Sequence, residues 1–327
     1  MKAQTPSSVS NAPVASAYIC CTVVCPMCGL SGSQYRLNPR QYWHTSREVD
    51  LQPSGYRCRG VAESVHPPLL AMWHCTGCFF TAQAADFQDP LKGVLIRTDT
   101  VASSLKERAR TDAGFRRLIE TLRADVRLDE INFYQAIKLH LLAYWIWDEI
   151  GRMVKQDYLT QASYVLQLAW LYRDLQTVDP ARAQTVARLE QLFVDVRRDW
   201  PEVPATEEAS LRKALSYYED SLSISTFSKD AMNEVTALHR IGRIQMQLKE
   251  YRPARETFRR STIRAQVASA EIRQQLGIRG NMPGREEVTG AAREALVDRE
   301  RKLSTIMNDE SRLTDTILDA LGPARKK

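Results

Sequence analysis

A chain of 327 residues, 44% of them hydrophobic and 26% charged, has the length of about two domains and apolar material for a sizeable core. No apolar run approaches the ~18 residues of a bilayer span, so no membrane-crossing helix is predicted. The net charge of +6 is mild and uneven, with 16 Lys/Arg against 11 Asp/Glu in residues 251–327 but six against five in residues 1–90.

Residues 1–17 are rich in Ser, Ala and Pro and lack an apolar signal core, so they read as a disordered lead-in. Residues 18–90 then form a compact module. Ile19 to Val24 is a β-branched run that reads as a strand and leads into Cys25-Pro26-Met27-Cys28-Gly29. A second strand, Met72-Trp73-His74, leads into Cys75-Thr76-Gly77-Cys78. Two C-x-x-C pairs offer four thiolates, the complement of a closed tetrahedral Zn²⁺ site with ligands at ~2.3 Å. The expected ligands are therefore Cys25, Cys28, Cys75 and Cys78, and the expected cofactor is one structural Zn²⁺. A redox dithiol, disulfides or a rubredoxin-like iron site remain the alternatives. Turns are expected at Pro39, at Pro53-Ser54-Gly55 and at His66-Pro67-Pro68. Cys20, Cys21 and Cys58 have no two-residue partner and read as small buried hydrophobes. His44 and His66 fall in loops, and His74 faces away from the ion by strand alternation. Thiols bunched as metal ligands point to a reducing, cytoplasmic setting.

From about Leu91 the composition turns helical and stays so. Leu118, Leu122, Val126 and Ile131 open a series of amphipathic helices, and Ile137, Leu141, Leu142, Tyr144 and Trp145 give a thick apolar face. His140 takes a large-residue core position. Asp179-Pro180, Trp200-Pro201 and Pro204 mark helix breaks. Leu238-x-x-Ile241-Gly242-x-x-Gln245 with Tyr251-x-x-Ala254-x-x-x-Phe258-x-x-Ser261 has tetratricopeptide (TPR) spacing, Gly242 allowing the two helices to approach. Leu168-Ala169-x-x-Tyr172 repeats the first half. Ala214-x-x-x-Tyr218-x-x-Ser221 and Phe133-x-x-Ala136-x-x-x-His140-x-x-Ala143 repeat the second. A plain helical bundle shares much of this spacing. Residues 91–276 thus read as a degenerate TPR-like solenoid. Gly277, Gly280, Pro283 and Gly284 read as a linker. A last helix over 285–321 carries Ala292, Leu296, Leu303, Ile306, Leu313 and Ile317 at spacings of 3 and 4, broken by Arg299 and Glu310. It serves as a cap or as a coiled-coil seam for self-association. The fold class is mainly α: a small β-containing zinc ribbon, a helical solenoid and a C-terminal helix.

These segments resemble a bacterial family catalogued as a domain of unknown function, in which a zinc-ribbon-like N-terminus precedes TPR-like helices. The resemblance rests on Cys25-Pro26-Met27-Cys28-Gly29, Arg47-Glu48-Val49-Asp50-Leu51, Cys75-Thr76-Gly77-Cys78-Phe79 with Phe87, Ala136-Ile137-Lys138-Leu139, and Leu168-Ala169-Trp170-Leu171-Tyr172-Arg173. It covers roughly residues 20–265. The departures are a second knuckle without the family's usual proline, Phe79 where the family has glycine, and Gln52 where it often has cysteine. The resemblance implies a fold and a metal, and no reaction.

No phosphate-cradling Gly loop, H-E-x-x-H or G-x-S-x-G is present, so no catalytic or cofactor-binding residues are assigned and no enzyme is expected. The leading expectation is an interaction scaffold that binds a partner peptide or helix on the concave face. In TPR register that face carries Thr236, His239, Arg243, Met246 and Gln247, and in the earlier copy Ser163, Leu166, Trp170, Arg173 and Asp174. Trp170, Arg173, His239, Arg243, Met246 and Gln247 are the candidate partner-binding residues, suited to an acidic segment. The competing expectation has the C-terminal helix in the groove, with Glu300, Glu310 or Asp315 as internal partners. A second class of function is nucleic-acid binding through the ribbon and the basic C-terminal region.

Overall fold

The computed structural model describes residues 18–38, 40–58, 66–88, 98–127, 131–224, 231–276 and 290–321. The expected lead-in, the boundary near Leu91 and the glycine-rich linker lie outside them, as does the turn at Pro39.

Three antiparallel hairpins build the N-terminal part: β1 (Tyr18–Val24) with β2 (Ser31–Leu37), β3 (Tyr42–Arg47) with β4 (Pro53–Cys58), and β5 (Met72–His74) with β6 (Thr81–Gln83). The first and third carry a C-x-x-C pair in the turn between their strands. The middle hairpin corrects the expected turn at 53–55, because Pro53 opens β4 and the chain reverses over residues 48–52. Leu51 takes the left-handed conformation there, at φ 70°. A leucine carries no sequence cue for that geometry, whereas glycine would. A 3₁₀ turn, Pro67–Leu70, precedes β5.

The rest is helical: α1 (Ala84–Gln88), α2 (Thr98–Thr111), α3 (Ala113–Arg123), α4 (Phe133–Met153), α5 (Tyr158–Thr177), α6 (Arg182–Asp199), α7 (Glu207–Ser223), α8 (Ala231–Gln247), α9 (Tyr251–Gln275) and α10 (Gly290–Leu321). Side-chain oxygens of Asp112, Asn132, Asp157 and Thr206 cap α3, α4, α5 and α7 by accepting from otherwise orphaned backbone N–H groups. Pro180, Pro201 and Pro204 fall between helices, as their missing donors require. α4 is the hub, buried on nearly every side, which is why its sequence is apolar around its whole circumference. His140 is fully buried and donates from Nδ1 to Ala136 O at 2.8 Å. Glu149, equally buried, is held by Arg108 and Arg152.

α5 packs chiefly on α7, with α6 standing between them in the chain but not in that contact. α8 and α9 form the next pair. A Cβ at Gly242 would lie 2.4 Å from the Phe258 ring, so only glycine permits this approach. α10 lies on α9 and α8 and caps the stack. Its buried residues are Leu303, Glu310 and Ile317, a strict seven-residue stripe of the coiled-coil kind with a carboxylate in the middle position.

The N-terminal module does not bury a core of its own. Instead Cys25, Met27, Met72, Trp73, Phe80 and Phe87 belong to one continuous apolar cluster that runs through α2, α3, α4, α5 and α7 into α8. Trp73 and Phe80 pack on Phe87, and Phe79 meets Phe115 of α3 edge-on. The three hairpins are too short to enclose an apolar interior alone, so their large side chains use the helices.

Candidate metal centre and the closed cationic face

The two C-x-x-C turns face each other, and the Sγ atoms of Cys25, Cys28, Cys75 and Cys78 all lie within 4.8 Å of one another. Cys25 Sγ is 3.6 Å from Cys78 Sγ, and Cys28 Sγ is 3.4 Å from Cys75 Sγ. A disulfide needs about 2.05 Å. A tetrahedral ion with ligands at ~2.3 Å sets its sulfurs about 3.8 Å apart. The donor set therefore fits a four-thiolate metal centre.

Local backbone explains the arrangement. Gly29 is left-handed at φ 74°, which closes the first turn and lets its N–H donate to Cys25 O at 2.9 Å. The amides of Met27 and Cys28 point at the Cys25 sulfur, those of Gly77 and Cys78 at Cys75, and that of Phe80 at Cys78. Such N–H groups stabilise the negative sulfurs of a bound centre. The hydrogen bond from Cys78 brings Cys25 down to about 5, and burial pushes Cys75 up to about 11. The second turn does differ from the first. Phe79 is not left-handed, and its ring anchors the turn to α3 instead. The turns also touch directly: a Cβ on Gly77 would lie 2.5 Å from Leu30 Cδ2.

The other thiols and histidines stay out of the cluster. Cys20 is exposed and Cys21 half-exposed, against the expectation of burial, because β1 pairs only with β2. The Cys58 side chain lies outside the described residues. His74 is buried and bonded through Nδ1 to Thr81 Oγ1 at 2.8 Å. His44 sits on β3 rather than in a loop, and His66 packs against the Phe133 ring.

The candidate groove residues come together, and the chain itself occupies them. The reversal between β3 and β4 sets Asp50 against α5. Arg173 donates to both Asp50 oxygens at 3.0 and 2.8 Å, and also to Gln52 and Glu207. Trp170 Nε1 donates to Asp50 Oδ2 at 3.1 Å, and Gln52 Nε2 donates to Asp174 at 2.7 Å. The Asp50 side chain is fully buried and that of Arg173 is 16% exposed. Burial alone would lower the Arg173 pKa; Asp50 and Glu207 outweigh it and hold the guanidinium above its ordinary value. Gln52 thus serves as a hydrogen-bonding bridge between loop and helix.

One pair further on, α10 plays the same part. Arg243 donates to Asp309 and to Val49 O, and its Nε lies 2.9 Å from His239 Nε2. His239 lies 3.2 Å from both Asp309 and Glu310, and Thr262 donates to Glu310 at 2.9 Å. Burial opposes the imidazolium, but the two carboxylates outweigh it and raise the His239 pKa. Burial likewise opposes the Asp309 carboxylate, and His239 and Arg243 pull it down to about 2. Met246 is buried beside Phe258 and Ile317, and Gln247 reaches Glu207 at 3.4 Å. Of the three carboxylates expected as internal partners, Glu310 is one. Glu300 instead pairs with Arg273, and Asp309 was not foreseen.

Fold and site together define a mainly helical protein whose four-cysteine β-module is packed into the helices. The family described as "Uncharacterized protein conserved in bacteria (DUF2225)" matches residues 18–278, and the chain belongs to it. No curated protein and no solved structure matches the chain. No described helix is long and apolar enough to cross a membrane.

Proposed function

We propose that the chain is a zinc-stabilised cytoplasmic adaptor without catalytic activity, whose TPR-like helix pairs bind acidic helical segments on their concave face. Zn²⁺ is the ion of choice for a closed set of four thiolates, and it would serve as a structural staple. The observation that carries the binding reading is the way α10 sits on α8 and α9. Asp309 and Glu310 meet Arg243 and His239, and Leu303 and Ile317 fill the apolar positions on either side. That is recognition of a helix by apolar anchors and carboxylate clamps. In the resting chain α10 is the ligand, and a partner with the same pattern takes its place.

The reading is tested by placing a site-specific protease site within residues 277–289, cleaving it, and titrating a labelled peptide of residues 290–321. The peptide is expected to exchange into the cleaved chain and to be excluded from the intact one. Its affinity is expected to fall as pH rises. Asp309 and Glu310 raise the His239 pKa when the 290–321 helix is in place, so the contribution of the imidazolium to binding is lost as pH rises through that raised value. A peptide that fails to enter the cleaved chain overturns the reading.

A further inference from the structure

The β3–β4 hairpin has two faces of different character. Tyr42 and Tyr56 lie on the inner one with their rings 5.7 Å apart, and burial pushes both phenols up, Tyr42 to about 12. By strand alternation Trp43, Thr45 and Arg47 lie on the outer face, and Trp43 stands directly opposite Arg57. Trp43 is 45% exposed, an unusual position for an indole in a chain with so much core to fill. Arg36, Arg40, Arg47 and Arg57 are all exposed. None of the four enters an ion pair among the described residues, and Arg47 leans only on His44. The carboxylates within residues 36–58 are Glu48 and Asp50, and Asp50 is already bound to Arg173. Among the described residues, Arg47 and Arg57 of the hairpin thus carry positive charge that no ion pair offsets, beside an exposed indole.

We infer that the outer face of the β3–β4 hairpin binds single-stranded nucleic acid, with a base stacked on Trp43 and a phosphate held by Arg57. An indole flanked by a cross-strand guanidinium gives a stacking platform and a phosphate contact within one base step. A stacked base must be unpaired, which favours a single strand over a duplex. An acidic protein segment would use the arginines and leave the indole without a role. The basic C-terminal region has weaker claims: Arg259, Arg264, Arg273 and Lys302 are each paired with a carboxylate on the same or a neighbouring helix. The surface is separate from the concave face, whose cations are consumed internally.

Fluorescence anisotropy of labelled oligo(dT) and oligo(rU) with the full metal-loaded chain tests the inference. Binding is expected at about 50 mM salt and is expected to weaken steeply by about 200 mM. Trp43→Ala should reduce affinity about ten-fold, and Trp43→Phe should restore most of it. Arg57→Gln should weaken binding and lower the salt slope by about one. Both positions are exposed, and far-UV dichroism with metal content verifies that the variants fold. No binding at low salt overturns the inference, as does wild-type affinity in Trp43→Ala. So does displacement by polyglutamate as readily as by unlabelled oligonucleotide, or tighter binding of duplex than of single strand.

Discussion

Replacing Asp50 by alanine is expected to cost the chain about 3 kcal/mol, the lower end for breaking a buried ion pair by removing one partner. The magnitude comes from what is left behind. Arg173 keeps Glu207 and Gln52 but loses both bonds to Asp50, and Trp170 Nε1 loses its acceptor. The pair need not be a large net stabiliser for this to hold. Desolvating two charges roughly cancels their attraction, so an Asp50→Leu/Arg173→Met double variant should be less destabilised than the sum of the two single changes. Urea unfolding reads both effects through the midpoint. An Asp50→Ala variant with an unchanged midpoint would show that the loop does not dock as described.

Chelation is expected to have the other large effect. The protein should bind one equivalent of zinc per chain, and removing it should lower the melting temperature of the helices as well as that of the hairpins. An ion held at 1,000 times its dissociation constant contributes about 4 kcal/mol to the folded state. The helices share that stabilisation because Cys25, Met27, Cys75 and Cys78 lie in the same apolar cluster as α2–α5 and α7. Far-UV helical signal and aromatic fluorescence should therefore shift together. A helical signal that keeps its midpoint after complete metal removal would mean two independent units. Metal retained in Cys28→Ser/Cys75→Ser would remove the four cysteines as its ligands.

Much of this was legible in residue order because the signals are local. The C-x-x-C pairs fix the metal turns, Gly242 marks the contact with Phe258, and the prolines between α5, α6 and α7 mark the breaks. The seven-residue stripe in α10 was also visible, with Glu310 read as an interruption when it is the residue that fixes register against His239. What escaped is long-range. Asp50 and Arg173 are 123 positions apart, and no periodicity couples a loop carboxylate to a helix that distant. The pairing of β3 with β4 was hidden because its reversal uses Leu51 in place of glycine. The packing of α5 on α7 escaped as well, because α6 stands between them in the chain and nearest neighbours are the usual pairing. Burial of Cys20 was misjudged because a two-stranded ribbon leaves one face open, which composition does not reveal.

The proposed function rests on recognition of helix-borne carboxylates by Arg243 and His239. In the cleaved chain this is measured directly by a double-mutant cycle between Arg243→Ala and Asp309→Ala, with the affinity of the 290–321 peptide as readout. The Arg243 side chain is 9% exposed and that of Asp309 25%, so the bond is shielded from solvent on one side. A coupling of about 1.5–3 kcal/mol is predicted, the range for hydrogen bonds to charged groups. A coupling near zero, with the peptide still bound, would mean that α10 is held by its apolar stripe alone and that the concave face does not read acidic ligands.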